Sequence, residues 1–254
     1  MGSLRHRVLA ALSFVVVLGV WEASCRLGWV SPVLLSSPSA ILAEARTSLL
    51  SGRWNDDLAM TLSAFALGFA VATVAGTLAG VAMGVSKTLY HLVDPYVVAM
   101  NALPKVVLCP LVMLWFGTGM SARVFLGAVM AAFPIIASTV TGVQSIDRDH
   151  VLLVRACRGS RWVVFKDVLL PSIAPFVLSG MRVGVNYTMV GVLVVEFFAS
   201  SSGVGYRLNA YSQNFQGEQF FVLLFLVVAF VLALSGAIRL AEVRLGGWRN
   251  SAFR

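Results

Sequence analysis

The sequence has little charge. Charged residues make up only 12% of the 254 residues, whereas 59% are hydrophobic. Soluble domains are about a quarter charged and nearly half apolar. Too few polar side chains are present to cover a soluble globule, so the composition excludes the soluble classes and indicates a membrane protein. The net charge of +8 then indicates a cytoplasmic membrane face, where basic residues collect, and no nucleic-acid partner is expected.

Cysteine and histidine are also scarce, with three residues of each. Cys25, Cys109 and Cys157 are far apart and form no CxxC pair, so we interpret them as apolar packing residues. HExxH and GxSxG are absent, and no catalytic residue or metal ligand is predicted. Residues 80–88, GVAMGVSKT, lack the second glycine of a phosphate-binding loop, because Ser86 stands there. We therefore expect this chain to bind no ATP and no other cofactor.

Long hydrophobic segments dominate the chain, and a helix needs about 20 apolar residues to cross a bilayer. We predict an all-α, polytopic membrane protein with one transmembrane domain over residues 1–254. No A-x-A cleavage site follows the first segment, so it is interpreted as a retained span. Pro104 and Pro110 make the third span the least regular. The six predicted spans are 8–27, 58–86, 93–116, 121–144, 173–199 and 219–240.

Lysine and arginine are distributed unevenly between the connections. With a cytoplasmic N-terminus, most of the 19 basic residues fall inside, including Arg249 and Arg254, so both termini are predicted to be cytoplasmic. The same orientation makes 145–172 the longest internal loop. Its apolar and basic side chains predict one or two amphipathic helices that dock on a partner. A short amphipathic surface helix is also predicted within 37–52.

Polar groups inside the spans are candidates for function. Lys105 lies near the middle of span three, and a cation there favours an anionic solute. Alternatively, Lys105 is structural and satisfies carbonyls freed by Pro104 or pairs with a carboxylate. Glu196 lies near the outer end of span five and matches Arg123 in depth better than Lys105. The predicted translocation path consists of Lys105, Asn101, Asn186, Tyr187 and Glu196.

Small residues recur at every fourth position of span two, where Gly76, Gly80 and Gly84 fall on one face. Such faces let helix backbones approach closely in lipid. We expect these glycines to pack on another helix, either within the chain or across a dimer seam.

Several separated blocks resemble one family. They are SRWVVFKDVLLPSIAPFVLSGMRVG (160–184), GVLVVEFFASSSGVGYRL (191–208) and NALPKVVLCPLVMLWFG (101–117). They resemble inner-membrane permease subunits of bacterial ABC importers, nearest to the nitrate, sulfonate and taurine group. The resemblance implies a type I importer permease fold and uptake of a small anionic solute, such as nitrate, a sulfonate, taurine or another small organic acid. It also implies a homodimer, two copies of a separate ATPase that binds ATP and Mg²⁺, and an extracytoplasmic solute-binding protein.

In this family a cytoplasmic loop ending in Leu-Pro contains a coupling helix that sits in a groove of the ATPase. Aligned on Leu170-Pro171, the family's Glu-Ala-Ala falls on 152–154 and its glycine falls on Arg158, one residue before Gly159. The acidic residue is missing, so Arg155 or Arg158 is expected to grip the ATPase. The predicted coupling residues are Val154, Arg155, Ala156, Arg158, Gly159, Leu170 and Pro171.

Two other functions remain open. A self-sufficient secondary carrier or channel often has inverted repeats and several ionisable groups at mid-membrane. Here no inverted repeat is visible, and only Lys105 lies at mid-depth. An assembly or scaffolding protein would explain the basic loop but not a resemblance that extends over nearly the whole chain.

Overall fold

The structure, a computed structural model, describes residues 2–31 and 35–246 and is helical throughout its regular elements. This confirms the predicted all-α class, while Arg249 and Arg254 lie outside the described residues. The helices are α1 (Gly2–Arg26), α2 (Pro38–Leu50), α3 (Asn55–Val85), α4 (Lys87–Ala102), α5 (Cys109–Phe116), α6 (Met120–Gln144), α7 (Arg148–Ala156), α8 (Arg161–Val163), α9 (Leu170–Ala199), α10 (Val204–Gln213) and α11 (Gly217–Gly246).

The centre of the fold is a bundle of α3, α6 and α9, with α6 packed against both of the others. Ala72, Ile135 and Val185, one from each helix, are almost completely buried. α11 packs on α9 from the other side, and α10 lies across the ends of α9 and α11. α1 contacts mainly α2 and stands apart from the bundle.

Glycines on α3 bring it unusually close to α6. A Cβ atom at Gly80 would lie 2.6 Å from Thr139 Cβ, and one at Gly76 would lie 3.0 Å from Ile135 Cβ. Gly84 is pressed in the same way against Val143. The structure therefore places all three predicted packing glycines on an interface within the chain.

Four helices in the described ranges are long and apolar enough to cross a membrane. They correspond to the second, fourth, fifth and sixth predicted spans. The first predicted span, 8–27, coincides with α1, which is not among the four, so this span stays a prediction. The four helices are Asn55–Val85, Met120–Gln144, Arg161–Ala199 and Gly217–Arg244.

The third predicted span, 93–116, is not one continuous helix. α4 and the segment Lys105–Phe116 meet at an angle of 92°, as in a broken span or a re-entrant loop. Leu103 is extended, as expected before a proline, and Pro104 has no N–H to continue the helix. A single 3-10 turn, Lys105–Leu108, then leads into α5. Lys105 is thus the first residue after the break.

The predicted loop 145–172 is shorter in the structure. Its amphipathic helix is confirmed as α7, and the surface helix within 37–52 is confirmed as α2. However, the long membrane helix begins at Arg161 and not at residue 173. It has π-helical geometry over Val164–Leu169, directly before Pro171. A wider turn accommodates a proline that lacks an N–H, so Leu170-Pro171 lies inside a helix and does not start one.

Candidate functional site

Lys105 is a buried cation at the break between α4 and α5, with 7% of its surface exposed. Its Nζ lies 5.6 Å from the ring centroid of Phe133 on α6 and 5.8 Å from that of Tyr187 on α9. Such ammonium–ring contacts are attractive, the more so when desolvated. In the described ranges Lys105 forms no ion pair with a carboxylate. The predicted alternative of a carboxylate partner therefore finds no support there.

Tyr187 is the predicted path residue that the structure brings to Lys105. Tyr187 is 42% exposed, so part of this residue remains accessible beside the lysine. Asn101 of α4 and Asn186 of α9 are exposed, and no hydrogen bond in the described part of the chain joins either of them to Lys105. Phe133 was missed, because an aromatic residue within an apolar helix has no distinguishing sequence signal.

Glu196 belongs to a different site. Its side chain has no exposed surface and is held by other polar groups of the chain, and its place on a translocation path stays a prediction. It lies in a cluster that we call the outer polar cluster, after the orientation predicted from the sequence. The cluster comprises Asp57 and Thr61 of α3, Arg123 of α6, Glu196 of α9 and Arg207 of α10.

The outer polar cluster caps the N-terminus of α10. The N–H of Gly203 donates to Asp57 Oδ1 at 2.8 Å, and the N–H of Gly205 donates to Glu196 Oε2 at 2.9 Å. Between them, the Val204 N–H donates to Thr61 Oγ1, whose hydroxyl in turn donates to Glu196. The first N–H groups of a helix have no intrahelical partner, and the helix dipole favours anions there. Side chains of α3 and α9 therefore accept the hydrogen bonds of the free N–H groups at the start of α10.

Two guanidinium groups balance the two carboxylates. Arg123 Nη1 lies 3.7 Å from Glu196 Oε1, which confirms the depth match expected from the sequence. Arg123 also donates to Ser200 Oγ and to both oxygens of Ser202. Arg207 Nε donates to Asp57 Oδ2 at 2.6 Å, and this hydrogen bond raises the pKa of Arg207 above its usual range. The Arg123–Glu196 pair keeps its charges compensated where water is excluded, whereas Arg207 is partly exposed.

Gly203 is required by this arrangement for two reasons. Its φ angle of 101° lies in the left-handed region, which favours glycine. In addition, a Cβ atom there would collide with the Glu196 carboxylate. The glycine lets the chain turn from α9 into α10 directly over the buried acid.

α7 ends in a Schellman motif. This motif shows why an arginine, Arg158, can stand where the family has a glycine. Arg158 N–H donates to Arg155 O at 2.9 Å, and Gly159 N–H donates to Val154 O at 2.8 Å. Arg158 has a φ angle of 57°, the left-handed position at which a glycine is usual. Gly159 is needed for space instead, since its Cβ would lie 2.5 Å from Val154 Cγ1. Position 158 thus has a backbone conformation usual for glycine but carries an arginine side chain.

The surface around α7 is both apolar and basic. Leu152 and Leu153 are 60% and 64% exposed, and Arg155, Ala156 and Arg158 are exposed beside them. At the start of the following helix, Trp162 stacks on Phe165 with ring centroids 5.4 Å apart. Leu170 is half exposed farther along. We call α7 together with Trp162 and Phe165 the coupling surface.

The match to known proteins covers most of this architecture. The family described as binding-protein-dependent transport system inner membrane component matches residues 72–246, from α3 to the end of α11. The chain belongs to this family. It is the permease subunit of an ABC importer, a transport component and not a catalytic one, and it is a multi-pass protein of the inner membrane.

Curated relatives of the permease are similar over most of their length. It is 30% identical over 238 residues to the putative aliphatic sulfonates transport permease SsuC of Bacillus subtilis, covering 93% of this chain and 86% of the relative. It is 32% identical to SsuC of Escherichia coli, covering 77% and 75%. It is 25% identical to the nitrate import permease NrtB of Leptolyngbya laminosa, covering 93% and 88%.

Solved structures share the fold of the permease. The inward-facing MetNI methionine ABC transporter matches with a TM-score of 0.64 at 19% identity, covering 73% of this chain and 93% of that one. An amino acid ABC transporter with histidines matches with a TM-score of 0.62 at 16% identity, covering 80% and 98%. The expected type I importer permease fold is confirmed.

Replacing Glu196 by alanine tests the outer polar cluster. We expect Glu196→Ala to destabilise the permease by about 3–5 kcal/mol, because Arg123 is left buried without its counter-charge. Thermal unfolding of the purified permease in detergent measures the change. Glu218→Ala, which removes an exposed carboxylate from the first turn of α11, is the matched control and should change little. Equal stability of the two variants would contradict the assigned structural role.

Arg158→Gly tests the end of α7. Relieving the left-handed conformation of a non-glycine residue should stabilise this helix end by about 1 kcal/mol. Amide hydrogen exchange, read for the peptide that contains α7, should slow. Arg155→Gly, inside the same helix, should have the opposite effect because glycine is about 1 kcal/mol less favourable there. Faster exchange in both variants would show that Arg158 makes a contact outweighing its backbone strain.

Proposed function

We propose that this permease imports a small anionic solute along a path that passes Lys105. The observation that supports it most directly is the buried ammonium group at a break in a membrane helix, without a carboxylate partner in the described part of the chain. A lysine at the middle of a membrane helix costs about 2.5–3.5 kcal/mol on insertion scales. Because the Lys105 ammonium has no counter-ion in the described part of the chain, it is suited to bind an anionic solute.

The broken helix adds to the preference for an anion. Lys105 is the first residue of the segment Lys105–Phe116, so its backbone lies at the N-terminal end of a half-helix. Half-helix N-termini in transporters point their positive dipole ends at anionic groups of the solute. Phe133 and Tyr187 hold the ammonium group without neutralising it. Nitrate, sulfonates, taurine and other small organic acids fit this chemistry, and sulfonate and nitrate permeases are among the relatives.

Energy for transport is proposed to enter through the coupling surface. Exposed leucine and arginine side chains on a helix of nine residues suit insertion into a groove of a partner protein. The helix Arg161–Ala199 joins this surface to Tyr187 without interruption, over about 26 residues or ~39 Å at 1.5 Å per residue. Movement of a docked partner therefore reaches the Lys105 site through one helix.

The proposed assembly contains the permease together with two other kinds of protein. A homodimer of this permease would work with two copies of an ABC ATPase, which bind ATP and Mg²⁺, while this chain binds no cofactor. An extracytoplasmic solute-binding protein would deliver the solute at the face of the outer polar cluster. Both termini and the coupling surface would then lie in the cytoplasm, with residues 1–254 forming one transmembrane domain.

Lys105→Met tests the anion path. We expect ATP-driven uptake by the reconstituted importer to fall at least tenfold, since about 1.4 kcal/mol of lost anion interaction gives that factor. The assay is uptake of labelled nitrate, taurine or ethanesulfonate, whichever the unmodified complex transports. Lys87→Met, at the exposed start of α4, removes the same charge elsewhere and should transport normally. Uptake by Lys105→Met with unchanged rate and affinity would make Lys105 structural.

Reversing two charges tests the coupling surface. In Arg155→Glu combined with Arg158→Glu, ATPase copurification should be lost while the chain remains inserted and folded. Lys87→Glu combined with Arg244→Glu reverses two exposed charges on the same predicted side of the membrane and should keep the ATPase. Retained association in the first variant would remove these arginines from the docking face. Import by the permease without any ATPase would instead establish a self-sufficient carrier.

A further inference from the structure

The helix Arg161–Ala199 changes its hydrogen-bond register just before it packs into the bundle. Val164–Leu169 is π-helical, and the N–H of Leu170 donates to the Phe165 carbonyl, five residues back instead of four. Such turns are rare, occur mostly singly inside α-helices and are frequent at functional sites. This one lies where the coupling surface meets the part of the helix that crosses the membrane.

Pro171 leaves one backbone carbonyl without a donor in the π register and in the α register alike. In the α register the Asp167 carbonyl would face Pro171, which has no N–H and whose ring would press on that carbonyl. In the π register it is the Lys166 carbonyl that lacks a donor, because the Leu170 N–H bonds to Phe165 and Pro171 comes fifth. Lys166 and Asp167 are both exposed, so water can satisfy either carbonyl. The two registers are therefore close in hydrogen bonding.

Core packing fixes the register of this helix only after Pro171. None of residues 161–170 is buried, and Ile173 is the first buried residue of the helix. Farther along, a Cβ atom at Gly180 would lie 3.0 Å from Ser138 Cβ of α6, so the membrane part has one tightly packed orientation. The part before Pro171 can therefore turn about the helix axis without disturbing a core.

α7 rests on the part of the helix that is free to turn. In the described part of the chain α7 packs mainly on Val164–Leu169 and not on the bundle. A change from the π to the α register takes one residue out of the wide turn, which rotates everything before it by about 100° and moves it by about 1.5 Å. Helical side chains reach about 5–6 Å from the axis, so the tip of Arg161 would move by about 8 Å. α7 would turn with the surface that carries it.

We propose that Val164–Leu169 is a rotary joint, which changes between the π and the α register when the importer binds and releases ATP. The coupling surface then rotates against the membrane part of the same helix, whose packing on α6 is unchanged. The helix stays hydrogen-bonded in both registers, so it still transmits movement toward Tyr187. This inference rests on the proposed coupling role of α7 and adds a change of conformation within the helix itself.

The test measures a distance in the reconstituted importer complex by pulsed electron paramagnetic resonance. Spin labels are attached to Arg161→Cys and Lys87→Cys, both at exposed positions, with the accessible Cys25 and Cys157 replaced by serine. Spectra are recorded without nucleotide and with an ATP analogue that is not hydrolysed. We expect two distances that differ by about 5 Å or more, and the nucleotide should change their ratio. This measurement needs no variant of the joint itself.

Pro171→Ala separates the joint from a tilt of the whole helix. Alanine restores an N–H and removes the ring, which favours the α register, so the labelled variant should show one distance with and without nucleotide. Uptake should fall about tenfold because the π register is depopulated, while the ATPase still copurifies. Pro175→Ala, which replaces the next proline of the same helix within its packed part, is the matched control and should keep both distances.

A single, nucleotide-independent distance in the complex with an intact joint would overturn the proposal. So would a nucleotide-dependent change that persists in Pro171→Ala, because it would report a tilt of the whole helix. If the permease with an intact joint failed to bind the ATPase, the coupling role on which the inference rests would be contradicted as well. A fixed distance with the ATPase bound would contradict the joint alone.

Discussion

The structure depends on one constraint: hydrocarbon offers no hydrogen-bond partner to a backbone amide or carbonyl. Helices satisfy this constraint within themselves, and every departure from a helix must be satisfied in another way. At the break before Lys105, Pro104 contributes no N–H at all. At the turn from α9 to α10, Asp57, Thr61 and Glu196 accept the free N–H groups. The two polar sites thus occur where the helical backbone is interrupted.

These sites are connected through α6, the helix at the centre of the bundle. It supplies Arg123 to the outer polar cluster and Phe133 to the Lys105 site. Its neighbours approach without intervening side chains: a Cβ atom at Gly191 of α9 would lie 2.7 Å from the Cα of Gly127. Packing this tight leaves little room for α6 and α9 to shift independently. A displacement of α9 is therefore shared with α6, and both walls of the Lys105 site move together.

The sequence was informative where the signal was local or long. Hydropathy alone located four of the membrane helices, and Ser37-Pro38 predicted α2, because these patterns act within one element. The loop 145–172 is shorter than predicted because a π-helical turn accommodates Pro171 inside a helix that begins at Arg161, and a sequence gives no signal for such a turn. Asp57 and Thr61 went unnoticed because they cap a helix more than 140 residues away, and α10 has too little hydrophobicity to stand out. Such partners depend on the tertiary fold, which a single sequence does not display.

The helix Arg161–Ala199 contains 39 residues, and at 1.5 Å per residue it is about 58 Å long. The hydrocarbon core of a bilayer is about 30 Å thick, so roughly half of this helix extends beyond it or compensates by tilting. It is geometrically a lever whose far end is held by the outer polar cluster. A rotation of about 5° about that end would displace Arg161 by about 5 Å, close to one helical turn. A small rotation of this helix within the membrane would thus displace the coupling surface by several ångströms. The ratio of displacement to rotation is set by the length of the helix.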